Sequence, residues 1–139
     1  MPGRPGQMEQ KFSFEIDPLW GLIRIRMIGF YTLEDIEAFR EARRAAHEAL
    51  GWPRNQHMTL NDLREMKVQP QDTVAAFREM LADPAYHSRK LAFVVSPTLA
   101  RGQLTRALLG RSAQLFEDVE SAEAYLFADE DRERVRRFG

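Results

Sequence analysis

A run of apolar residues without polar alternation, Leu91-Ala92-Phe93-Val94-Val95, constrains this chain more than any other segment. Successive side chains of a strand leave on opposite faces, so a strand that is apolar throughout has both faces covered. Such a strand belongs inside a parallel sheet with helices packed on it, and this segment is the best candidate for a central strand.

The segments before it alternate instead. Phe12, Phe14 and Ile16 fall on one side of an opening strand over Lys11 to Asp17, with Ser13, Glu15 and Asp17 on the other. After Pro18-Leu19-Trp20-Gly21, the residues Ile23, Ile25 and Met27 alternate with Arg24 and Arg26. The two strands are expected to pair as a hairpin, with Ile16 opposite Ile23, Phe14 opposite Ile25 and Glu15 opposite Arg24. That register satisfies an apolar face and a cross-strand charge pair together.

Thr32 stands where a helix N-cap belongs, followed by Glu34 and Asp35 at the positive end of the dipole. Ile36, Phe39, Ala42, Ala46, Ala49 and Leu50 recur at helical steps, and Gly51 with Pro53 supplies a stop, so a helix is expected over Leu33 to Leu50. Met58 to Leu63 reads as a short strand, and Arg64 to Gln69 as a loop leading to Pro70 at a first helical position. Val74, Phe77 and Leu81 mark a second helix ended by Asp83-Pro84. Beyond Val95, Ser96-Pro97-Thr98 opens a third helix closed by Gly110. Ala113 to Phe116 is a short strand, and Asp118 caps a last helix through Phe127.

The expected architecture is therefore α/β, a mixed sheet of about five strands with about four helices, in which a hairpin feeds an alternating series. One domain spans residues 11–127, between a leader over 1–10 and a charged tail over 128–139. A chain of 139 residues with nine phenylalanines and two tryptophans can fill one core. Its formal charge of −1 supplies no field that favours nucleic acid. The absence of cysteine removes disulfides and thiolate chemistry and fits the cytoplasm. No stretch reaches the ~18 apolar residues of a membrane span, so no integral membrane association is expected.

Gly29-Phe30-Tyr31-Thr32 after the arginine-alternating strand, the strand end Asn61-Asp62-Leu63, and the Leu91 to Val95 strand running into Ser96-Pro97 together resemble bacterial SpoIIAA-like proteins, of the STAS and Sec14-like group. The resemblance covers about Lys11 to Phe127. It implies a STAS-like fold. It also implies one of two roles: docking on a partner protein, as anti-sigma-factor antagonists do, or holding an apolar ligand between sheet and helices, as Sec14-like proteins do. The antagonists are switched by phosphorylation of a serine or threonine that follows an aspartate after the middle strand. Here the matching segment reads Asn61-Asp62-Leu63-Arg64-Glu65-Met66, without a hydroxyl group, so the resemblance does not extend to that switch.

Ligands in open α/β sheets sit beyond the carboxyl ends of the strands. The candidate ligand- or partner-binding residues there are Asn61, Asp62, Arg64, Ser96, Thr98 and Arg101, with helix-end amides for an anion; capping alone also accounts for Ser96 and Asp62. Leu19, Trp20, Trp52 and Met66 are large apolar residues in expected loops. They mark an interface or a pocket lid, or else cover the ends of the core. His47, His57 and His87 have no metal-ligand spacing, and His47 reads as a surface residue. No nucleophile elbow or glycine-rich phosphate loop is present, so no catalytic residue, metal or cofactor is assigned. The leading expectation is a non-enzymatic STAS-like protein-interaction or regulatory module with an unidentified protein partner, compatible with a homodimer. The alternative is a carrier or sensor of a small apolar or amphipathic, lipid-like ligand.

Overall fold

In a computed structural model of the chain, residues 11–96, 114–128 and 130 are described. They form a five-stranded sheet in the order β1-β2-β3-β4-β5, comprising Phe12–Asp17, Leu22–Gly29, Met58–Met66, Lys90–Val94 and Gln114–Phe116. β1 is antiparallel to β2, and every other pairing is parallel. The helices α1 (Leu33–Leu50) and α2 (Gln71–Leu81) follow β2 and β3, and α3 (Val119–Phe127) follows β5. The expected helix after Ser96 lies outside the described residues, as do the leader and nearly all of the tail.

The hairpin register is the one that the alternation requires, with Ile16 opposite Ile23, Phe14 opposite Ile25 and Glu15 opposite Arg24. Its apolar face packs on α1, where Phe12 and Phe14 meet Phe39 at ring-centre distances of 5.4 and 5.1 Å. Both crossovers, β2-α1-β3 and β3-α2-β4, advance in one direction across the sheet, so right-handed connections place α1 and α2 on the same face. Ile23, Ile25, Met27, Leu63, Leu91 and Phe93 form the sheet side of that layer. On the opposite face Leu22, Met58, Leu60, Ala92 and Val94 pack on Ala122 and Leu126 of α3. The run Leu91 to Val95 is thus buried at each position and split between two cores.

The α1 boundaries follow from local chemistry. The Thr32 hydroxyl accepts the Asp35 amide at 3.1 Å and the Asp35 carboxylate accepts the Thr32 amide at 2.8 Å, a reciprocal capping box. Gly51 then turns into the left-handed region and its amide donates to the His47 carbonyl at 3.1 Å. The α1 stripe differs from the expected one. Ile36, Phe39, Arg43, Ala46 and Leu50 are buried, Ala49 is exposed and Ala42 lies at the margin, so a charged residue occupies the centre of the buried face.

Two expectations are corrected. β3 does not end at Leu63 but continues to Met66, because Glu65 and Met66 pair with Ile28 and Gly29. The pairing advances by two residues on β2, Arg26 to Ile28, and by three on β3, Asp62 to Glu65, which is a bulge. Pro70 is the N-cap of α2 rather than its first helical residue, and it makes no side-chain cap bond. Gln69, one residue earlier, ties this corner together. Its carbonyl accepts the Tyr31 amide at 2.8 Å while its amide group donates to the Gly29 carbonyl at 2.9 Å.

Candidate functional site

Between the sheet and the α1–α2 layer lies a cavity of about 110 Å³. Ile25, Met27, Leu63, Phe77, Met80, Leu91 and Phe93 make most of its wall apolar. Into the same space face Arg43 and His47 from α1, Thr59 and Asn61 from β3, and Asp83, Tyr86 and Ser88 from the connection between α2 and β4.

These polar residues come from distant parts of the chain, and several of them contact one another. The guanidinium carbon of Arg43 lies 3.9 Å from the centre of the Tyr86 ring, and one of its terminal nitrogens donates to the Met80 carbonyl at 3.3 Å. Its Nε is buried without a hydrogen-bond partner, and no ion pair reaches Arg43 among the described residues. Burial lowers its pKa, opposed by Tyr86 and Asp83, while a guanidinium still stays protonated at any physiological pH. The Ser88 hydroxyl sits 2.6 Å from the Thr59 hydroxyl and 3.2 Å from His57 Nε2. The His57 ring meets His47, and His47 meets Tyr86.

Burial drives both imidazoles to about pKa 4, with Arg43 acting further on His47, and His47 and Arg89 acting further on His57. The rings are therefore neutral near pH 7. His47 is not the surface residue its sequence context implied. It is partly buried on the cavity wall, because α1 turns this position toward β3 and the 84–86 turn. Among the described residues no group of histidine, aspartate or glutamate is arranged to hold a metal ion.

The sequence-selected residues divide between two faces. Asn61 is buried on the cavity wall, and no hydrogen bond reaches its side-chain amide among the described residues. Asp62, its neighbour, points to the opposite face, where its carboxylate accepts from Arg64 at 2.9 and 2.7 Å. Those bonds hold the Asp62 pKa below the usual carboxylate range. Asp62 and Arg64 thus converge on each other, away from the cavity. Ser96 follows β4, whereas Thr98 and Arg101 lie outside the described residues.

Of the four apolar candidates, Met66 lines the cavity rim and Leu19 is exposed. The Trp52 indole nitrogen donates to the Pro18 carbonyl at 2.8 Å and its ring packs against the first core, while Trp20 stacks on Phe127 at 4.7 Å over the second. Sequence reasoning missed Arg43, Thr59, Tyr86 and Ser88. For Arg43 a signal existed, since steps of three and four from Ile36 and Phe39 lead to position 43 before Ala46 and Leu50.

The fold is SpoIIAA-like. The chain is similar to the crystal structure of an uncharacterized protein of the DUF3478 family with a SpoIIAA-like fold from Shewanella loihica PV-4, with a TM-score of 0.63. The match covers 83% of this chain and 93% of that one at 15% sequence identity, so the likeness is one of fold. No protein-family model matches the sequence, and no curated protein matches it. Among the described residues no helix is long and apolar enough to cross a membrane.

Proposed function

We propose that this STAS-like module is a non-enzymatic binding protein that takes a small amphipathic ligand in the cavity between the sheet and α1–α2. The observation that carries this reading is the cavity itself, apolar along the sheet and α2 and polar at Arg43, His47, Asn61 and Ser88. An apolar pocket with a few convergent polar groups is the usual form of a small-molecule site. Its size argues against a long lipid chain. An apolar cavity of roughly 150 Å³ accommodates one benzene molecule, and the space here is about 110 Å³.

Binding rather than turnover is supported by the surroundings of the Ser88–His57 pair. His57 is enclosed by His47, Ser88 and Arg89, and among the described residues no carboxylate orients its ring as a general base would require.

Native mass spectrometry of gently purified protein tests retention of a small mass. Methyl NMR titration with hexanol then tests the site. Shifts at Ile25, Met27, Leu63 and Met80, with Leu22, Met58 and Leu126 of the opposite core unmoved, are expected. The absence of both a retained mass and methyl shifts overturns the reading.

A partner-protein role draws on a separate feature. Phe30, Leu33 and Val68 are large apolar residues that remain exposed, and the Lys67 amide bond to the Gly29 carbonyl, 3.1 Å, sets the segments of Phe30 and Val68 side by side. Replacing Phe30 and Leu33 with serine is expected to abolish any specific partner or self-association detected by pull-down or sedimentation. An unchanged complex excludes this patch.

A further inference from the structure

We infer that the cavity selects a small monoanionic ligand, a short-chain carboxylate, and that Arg43 is the residue that receives the carboxylate. The inference rests on the small-ligand reading above and adds the chemical class. A buried cation is expensive unless it is paired, and Arg43, at 8% exposure, has no acid partner within ion-pair distance among the described residues. A guanidinium carries five N–H donors. Among the described residues only the bond to the Met80 carbonyl is made, at a long 3.3 Å, and Nε is left without a partner. The Tyr86 ring takes part of the charge through its face but accepts none of the planar fork of donors.

Other groups on the same wall set the ligand's charge and shape. Among the described residues Asp83 is the one carboxylate lining the cavity, and its oxygen is engaged by the Ala85 amide at 3.0 Å. It disfavours a second negative charge on the ligand, and the His47 imidazole on the same wall, neutral near pH 7, supplies no positive charge to offset one. Lys67 lies at the exposed rim rather than in the interior. A phosphate dianion therefore meets one interior cation and one nearby anion, whereas a carboxylate matches the Arg43 fork in both charge and width. The Asn61 amide, buried on β3 of the same wall, offers a further donor for an oxygen of the ligand. The apolar remainder has room for a short chain only.

Matched pairs of probes separate this inference from the one beneath it. Butanoate and butanamide, or hexanoate and hexanamide, differ in charge and hardly in size. Titration followed by the methyl signals of Met27, Met66 and Met80 is expected to give the carboxylate an affinity on the order of tenfold above its amide. Arg43→Met, which removes the charge and keeps an extended apolar side chain, is expected to bring the two within about twofold while amide binding persists. Arg43→Lys, a point charge without the fork, should fall between, and it also serves if the methionine variant fails to fold. Equal affinities in the wild type, or a preference that survives both substitutions, overturn the inference while the small-ligand reading stands. If none of the four probes shifts the methyl signals, the inference is overturned, and the small-ligand reading falls with it when hexanol also leaves them unmoved and no small mass is retained.

Discussion

The imidazole rings of His47 and His57 meet edge to face, with centres 4.4 Å apart and planes at 87°. One ring comes from the last turns of α1 and the other from the residue before β3, so the contact exists only when helix and sheet are packed together.

The burial of both rings makes stability depend on pH. Both rings have pKa values near 4 in the folded protein, against about 6.5 for a free histidine. Between those values the unfolded chain binds more protons than the folded one, so stability rises with pH across this window and levels off above it. For His57, which is fully enclosed, the loss on going from about pH 7 to about pH 4 is ~3 kcal/mol. Urea unfolding across this range should show a smaller loss in His57→Gln than in the wild type; equal losses would exclude the buried pair as the source.

Gly21 tests how the hairpin meets the end of α1. Its φ is +64°, and a Cβ placed on it would lie 2.6 Å from the Trp52 ring. Gly51 has a similar φ, +73°, with open space around it. Gly51→Ala is therefore expected to cost only the left-handed penalty, about 1 kcal/mol, and Gly21→Ala about 3 kcal/mol because the indole must also move. Trp52 fluorescence should change in the second variant and not in the first. Equal costs would mean that Trp52 yields freely.

Glu130 anchors the segment after α3 to the start of β4. Its carboxylate receives Arg89 at 2.8 and 3.0 Å and Lys90 at 3.4 Å, and its side chain is 8% exposed although it belongs to the charged tail. Hydrogen bonds from Arg89 are the main reason its pKa lies below the usual glutamate value. Its contribution is therefore present above the unfolded carboxylate range and lost as pH falls through the folded value. Glu130→Ala removes the carboxylate on which both Arg89 and Lys90 converge and is expected to cost about 2 kcal/mol in urea unfolding at neutral pH. A change within about 0.5 kcal/mol would place the pair among surface bridges of little energetic weight.

The features that the sequence determined by itself are those decided within a few residues or by strand alternation. The α1 limits at Leu33 and Leu50 come from Thr32, Asp35 and Gly51 acting on their own backbone neighbours. The hairpin register follows from alternation, because a slip by one residue would turn Phe14 and Ile16 to the wrong face. The apolar run at Leu91 announced a strand buried on both sides, and the order of elements announced the SpoIIAA-like fold.

The cavity was decided elsewhere. Thr59 and Ser88 lie 29 residues apart, His57 and Ser88 31, and nothing in their local patterns links them. Their meeting depends on α2 and the 84–86 turn carrying the chain back to the edge of β3. The extension of β3 to Met66 has the same origin. Arg64 and Glu65 look like loop residues until β2 supplies the ladder that they join across the bulge, and only then does Met66 reach the cavity rim. Arg43 stands between the two cases: its position on the buried stripe was written in the helical spacing, but what lies opposite it, a cavity rather than a carboxylate, depended on how helix, sheet and turn close around a shared space.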